Sequence, residues 1–220
     1  MHIAIDGPAG SGKSTVAKRL AQRLDMTYID TGAMYRAVTY KAIQKGIRPG
    51  DRQGIIDTAA GIRIELKGSE ILLDGADVSG NIRDPLVDAR VSEAASIPEV
   101  RERLVALQRQ MAQKGAVVMD GRDIGTSVLP DATFKFFLTA TPEERAKRRY
   151  KDLAGSNPGM DFDMVMKDMQ RRDLLDSTRG HSPLRAAEDA IIIDTTGKSI
   201  ETVLQEITDI VGGAGRCFTK

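Results

Sequence analysis

Short apolar runs that end in small or acidic residues recur along the chain, at His2 to Asp6, Thr27 to Asp30, Ala116 to Asp120, Phe134 to Thr139 and Ala190 to Asp194. Longer segments of helical period separate them. This alternation predicts an α/β fold, a five-stranded parallel sheet flanked by helices. Runs apolar through their length, such as FKFFL and IIID, predict strands buried on both faces. Ligands should then collect at the carboxyl ends of the strands.

Two stretches break the rhythm. From Gly61 to Gly80, apolar and polar residues alternate around a Gly-Ser turn, which predicts an antiparallel hairpin inserted into the frame as part of a second, smaller lobe. From Leu153 to Phe162, LAGSNPGMDF sets two glycines and a proline between strongly charged helices, Glu143 to Tyr150 and Asp163 to Asp176. An exposed, mobile loop is expected there, and the arginines around it suggest a lid. The charged helices by themselves would equally suit solvated faces.

At 220 residues with 41% hydrophobic content, the chain has enough apolar material for a sizeable core. Lys and Arg number 32 against 31 Asp and Glu, so no net field draws the protein to nucleic acid or an anionic membrane, and any anionic ligand must be held locally. The opening MHIAID runs straight into a strand and no segment reaches membrane-spanning length, so a cytoplasmic protein is expected. A single cysteine, Cys217, has no disulfide or metal-binding partner and reads as a spare tail residue.

The chemistry begins at GPAGSGKST, which fits G-x-x-x-x-G-K-[ST] and lies just after a strand and just before the helix Lys13 to Leu24. The residues Gly7, Pro8, Ala9, Gly10, Ser11, Gly12, Lys13, Ser14 and Thr15 form the expected nucleotide cradle. Glycines let successive N–H groups turn toward phosphate, and the helix N-terminus adds partial positive charge. Lys13 should neutralise the β- and γ-phosphates of ATP, and Ser14 should place its hydroxyl on Mg2+. The fold is therefore expected to be of the P-loop NTPase type. Asp120 either helps organise Mg2+ through water or merely ends its strand.

Phosphoryl transfer between two phosphates needs several cations converging from different segments, and arginine's planar fork suits phosphate oxygens. Arg36 in DTGAMYRA and Arg122 in DGRDIGT lie where the strands end. With DVSGNIR, VRERL and RRDLLDSTRGHSPL, these motifs occur in the order found in bacterial cytidylate kinases, and the chain resembles that family from about Ile3 to Ile210.

The resemblance implies a single P-loop kinase unit. Its core would be about 1–30, 115–150 and 180–212, its acceptor-binding lobe about 31–114 with a hairpin about 61–80, and its lid about 151–179. It implies transfer from ATP to CMP or dCMP by a monomer that binds neither nucleic acid nor membrane. Arg36 and Arg122 would grip the acceptor phosphate, with Arg179 there or across the migrating group. Thr31, where some relatives have Ser, keeps a hydroxyl beside the acceptor. Ser92, Arg101 and Asp123 would read the cytosine edge, and Arg172 and Asp176 would meet the ribose hydroxyls. Lys13, Arg122 and Arg179 would act catalytically.

Plainer readings stand beside several of these. Arg172 and Asp176 are spaced to form an intrahelical ion pair, Arg101 sits among alternating charges, and Arg145, Arg148 and Arg149 either coat a helix or serve the lid. His181 in its turn is assigned no role. Two other functions would use the same cradle: a kinase of another small acceptor such as UMP, and a nucleotide-driven switch. The switch would need a guanine-reading motif or an apolar strand closing on paired acids, and neither occurs in the sequence.

Overall fold

The computed structural model describes residues 1–68, 70–154 and 161–215. The middle of the expected lid, 155–160, and Cys217 lie outside the described residues. The chain divides into two compact units, Met1–Tyr28 with Ala116–Lys220, and Ile29–Gly115.

The larger unit is built on a parallel sheet of order β2-β6-β1-β7-β8. Its strands are β1 (His2–Asp6), β2 (Thr27–Asp30), β6 (Val117–Gly121), β7 (Phe134–Thr139) and β8 (Ile191–Asp194). Burial on both faces explains why β1 and β6 read as unbroken apolar runs. Helices α1 (Lys13–Arg23) and α8 (Ile200–Gly215) place Val16, Leu20, Val203, Leu204 and Ile207 against Ile3, Ile5, Phe136, Leu138 and Ile193. The spacing of Val203, Leu204, Ile207 and Val211 is that of one helical face. Helices α6 (Pro142–Ala154) and α7 (Phe162–Thr178) pack together through Ala146, Val165 and Met169, with Tyr150 and Phe162 edge to face at 5.9 Å.

One expectation for this sheet needs correction. IIID is apolar throughout, yet Ile192 is 64% exposed and of its three isoleucines only Ile193 is buried. β8 is an edge strand, paired among the described residues with β7 alone, and α8 packs on the Ile193 side. An apolar run therefore reports the strand but not how many of its faces are covered.

In the smaller unit, α2 (Thr31–Gln44), α3 (Arg52–Gly61), α4 (Pro85–Ser96) and α5 (Pro98–Ala112) share a core with Ile64, Ile71 and Leu73. The expected hairpin is present as β3 (Ile64–Lys67) and β4 (Glu70–Leu73), antiparallel with Ile64 opposite Leu73. A third strand, β5 (Ala76–Asp77), extends it into a three-stranded sheet, which so short a segment does not announce by periodicity. No described helix is long and apolar enough to cross a membrane.

Candidate active site

The cradle is made by the turn between β1 and α1. Helix α1 begins after Gly12, which stands in the left-handed region at φ 85° and has no side-chain oxygen to cap the first turn. Helix α2 shows the contrast, since the Asp30 carboxylate accepts the N–H of Ala33 at 2.9 Å. Leaving α1 uncapped by a side chain suits it to an anion instead. Lys13 is 7% exposed and its Nζ donates to the Pro8 carbonyl at 3.3 Å, so the ammonium lies folded back over the loop.

Two helices of the same unit brace this loop. The Arg145 guanidinium donates to the carbonyls of Ala140 (3.2 Å) and Ala9 (3.1 Å) and pairs with Asp173 of α7 at 2.6 Å. Gly10 allows the close fit: a Cβ there would lie 2.7 Å from the Arg145 carbonyl oxygen. Arg148 donates to the hydroxyl (2.9 Å) and carbonyl (2.7 Å) of Thr195, whose hydroxyl in turn bonds the Ser11 carbonyl at 3.1 Å. Arg145 and Arg148 thus tie α6 to the cradle, a role that the run EERAKRR does not distinguish from a charged surface.

A charged cluster follows β6. Arg122 donates from Nε to Asp176 at 2.9 Å and from one terminal nitrogen to the Gly121 carbonyl at 3.5 Å. Its other terminal nitrogen makes no hydrogen bond among the described residues. Arg179 lies 3.7 Å from Asp123 and 3.9 Å from Asp176, with its Nε bonded to the Ser182 carbonyl. The expected Arg122, Asp123, Asp176 and Arg179 are therefore brought together. Arg172 pairs with Asp168 one turn earlier, at 2.8 Å.

Thr31, Arg36, Ser92 and Arg101 belong to the smaller unit. Thr31 is buried at the start of α2, and Ser92 is half-buried on α4. Arg36 forms an ion pair with Asp88 of α4. Arg101 is 4% exposed, with its guanidinium 5.6 Å from the Tyr35 ring centroid and bonded to the Ala95 carbonyl at 3.3 Å. It is a buried residue on α5, not a solvated one. Asp88 and Tyr35 went unmarked in the sequence because each is defined by a partner on another helix or turn.

Ser14 donates to Asp120 Oδ2 at 2.6 Å, and Tyr28 donates to Oδ1 at 2.8 Å. A hydroxyl beside a buried carboxylate is a hard oxygen pair, suited to Mg2+. No cluster of three His, Cys, Asp or Glu side chains able to hold a metal occurs among the described residues. That donor set fits an ion that draws most of its ligands from phosphate and water.

Asp6, also unmarked in the sequence, is 4% exposed and accepts the N–H groups of Ile124 and Gly125, each at 2.8 Å. Burial pushes its carboxyl up from 3.8 to about 6, against the lowering effect of those two bonds. Since the folded value lies above the ordinary one, the protonated carboxyl adds stability that is fully present below 3.8 and lost as pH rises through about 6. The stability of wild type relative to Asp6→Asn is therefore expected to fall by on the order of 3 kcal/mol across that window. Urea unfolding of both proteins from pH 4 to 8 measures it, and a flat difference would count against the raised value.

The chain matches the model of the cytidylate kinase family over residues 3–212. It is 52% identical over 211 residues to the cytidylate kinase of Caldanaerobacter subterraneus subsp. tengcongensis, covering 96% of this chain and 94% of that protein. It is 51% identical over 213 residues to the cytidylate kinase of Alkaliphilus oremlandii, covering 97% and 98% respectively. Among solved structures, a shikimate kinase from Bacteroides thetaiotaomicron superposes with a TM-score of 0.53 at 13% identity, covering 96% of this chain and 98% of that one. That last likeness is one of fold alone.

Proposed function

The chain belongs to the cytidylate kinase family, and from that premise we propose how its residues divide the work of an ATP-dependent nucleoside monophosphate kinase. The γ-phosphoryl group of ATP passes to CMP: an oxygen of the CMP phosphate bonds to the γ-phosphorus, the bond to the bridging oxygen breaks, and CDP and ADP result. The proposal includes dCMP, which differs from CMP only at the 2′ position. The attacking oxygen is already anionic, so positioning and charge neutralisation carry the reaction and no general base is needed.

The observation that best supports this reading is the α1 N-terminus, with Gly12 at its cap and Lys13 folded over the loop. Residues Gly7 to Thr15 would hold the ATP phosphates, with Lys13 on the β- and γ-phosphates. Ser14 and Asp120 are the residues that would hold Mg2+, which when bound supplies charge neutralisation at the phosphate oxygens. Arg122 keeps a terminal nitrogen for the acceptor phosphate while Asp176 holds its Nε. Arg179 supports the same cluster, and Thr31 and Arg36 act on the acceptor. Ser92, Arg101 and Asp123 are assigned to the base, and Arg172 and Asp176 to the ribose. A cytoplasmic monomer completes the proposal.

A coupled ADP-release assay across CMP, dCMP, UMP, AMP and GMP tests the acceptor. CMP and dCMP are expected to give the highest kcat/KM, and a higher value for UMP, AMP or GMP would overturn the assignment. Base choice has its own test. An ionised Asp123 accepts from the cytosine amino group but faces the O4 carbonyl of uracil, which should cost UMP on the order of 2–4 kcal/mol, or roughly thirty- to several-hundred-fold. Asp123→Asn should therefore lower CMP use and narrow the CMP to UMP ratio. An unchanged ratio would reduce Asp123 to a partner of Arg179.

A further inference from the structure

We infer that Asp6 is a positioning residue, fixing the loop that carries Arg122 and Asp123 against the phosphate cradle. The inference rests on the kinase reading above. Asp6 ends β1, and its main chain continues directly into Gly7, the first residue of the cradle. Its Oδ1 accepts the N–H of Ile124 and its Oδ2 that of Gly125. These two amides follow immediately after Arg122 and Asp123. One carboxylate thus joins the donor-phosphate loop, covalently, to the acceptor loop, through hydrogen bonds.

The sheet does not make this connection by itself. The pairing of β1 with β6 ends at Asp6 opposite Gly121, before the acceptor loop begins. Beyond that point the two amide bonds to Asp6 continue the grip. Gly125 stands directly against the carboxylate: a Cβ there would lie in ordinary contact with Asp6 Oδ2 at 3.4 Å and would press only on the flexible stem of Lys135, at 3.2 Å from its Cδ. Each amide is met by its own oxygen, and the ionised carboxylate presents both oxygens as acceptors. Protonation would turn one of those oxygens into a donor facing an N–H.

The charged groups facing Asp6 are Lys13 on α1 and Asp123 in the acceptor loop, while the stem of Lys135 on β7 lies against Gly125. Burial raises the carboxyl to about 6, so keeping it ionised at neutral pH opposes stability. A group whose only service were stability would not be held ionised at that cost, whereas positioning at a functional site accounts for it.

Asp6→Asn keeps the size of the side chain but offers one acceptor oxygen for two N–H groups. At pH 8, kcat/KM for CMP should fall about ten- to a hundredfold with KM for ATP nearly unchanged, because misplacement of the acceptor loop acts on the second substrate. Wild type should also show an acid limb near pH 6 in kcat/KM for CMP, beyond the one due to the substrate phosphates. The variant, measured with the same substrates, should retain only the substrate limb. No loss of activity, equal losses toward ATP and CMP, or the same acid limb in both proteins would overturn the inference. If Asp6→Asn does not fold, Asp6→Ser decides, since its single, shorter hydroxyl adds no bulk and does not replace the two carboxylate oxygens that hold the Ile124 and Gly125 amides. A selective loss toward CMP supports the positioning role, and an equal loss or none overturns it. Wild-type turnover of CMP in the same assay tests the kinase reading separately.

Discussion

Replacing Lys13 with methionine is expected to lower kcat by about a thousandfold while leaving the fold intact. Lys13 is 7% exposed and its ammonium is already folded over the cradle by its bond to the Pro8 carbonyl, so in the proposed role it would reach the phosphates with little rearrangement. Charge that develops on the migrating group in so dry a place is stabilised far more strongly than in water. Methionine preserves the length and apolar character of the stem and removes only the charge. The loop depends little on that side chain, because the Val16 N–H bonds the Gly12 carbonyl at 3.1 Å and the Thr195 hydroxyl bonds that of Ser11 at 3.1 Å. Losing the bond to Pro8 should cost about 1 kcal/mol of stability. Thermal unfolding and steady-state turnover together check the expectation. More than about a tenth of wild-type kcat in the variant would remove Lys13 from the transition state.

Arg122→Ala should have the next largest effect and a different signature. We expect kcat/KM for CMP to fall about a hundred- to a thousandfold, with ATP affinity changed by no more than a few-fold. Arg122 lies after β6, outside the cradle, and Asp176 fixes its Nε at 2.9 Å so that the rest of the fork is oriented before any phosphate arrives. Removing it also leaves Asp176 with Arg179 at 3.9 Å as its remaining cation among the described residues, so some rearrangement at the end of α7 is expected. Arg122→Lys separates charge from geometry: it restores the cation without the planar fork and should recover only part of the loss. Equal losses for CMP and ATP in Arg122→Ala would contradict an acceptor role.

The parts of this protein that sequence alone determined are those whose physics is local. A strand, a glycine-bearing turn and a helix follow one another from His2 to Arg23, so the cradle could be recognised from its spacing and placed in its structural context at once. The strands β1 and β6 announced themselves because burial forces apolar runs, and the DGRD motif could be placed because its first two residues end β6.

Tertiary structure alone decided which charges meet. Asp6 and Gly125 are 119 positions apart, Arg145 and Ala9 136, Arg122 and Asp176 54, and Arg36 and Asp88 52. The sheet order β2-β6-β1-β7-β8 is not the chain order, and it is this order that sets the end of β1 beside the loop after β6. The same order leaves β8 at an edge and exposes an isoleucine whose sequence reads as core. Periodicity records how each residue meets its own element, whereas the partner of a buried charge depends on which elements the packing brings together, and a single sequence carries no direct mark of that.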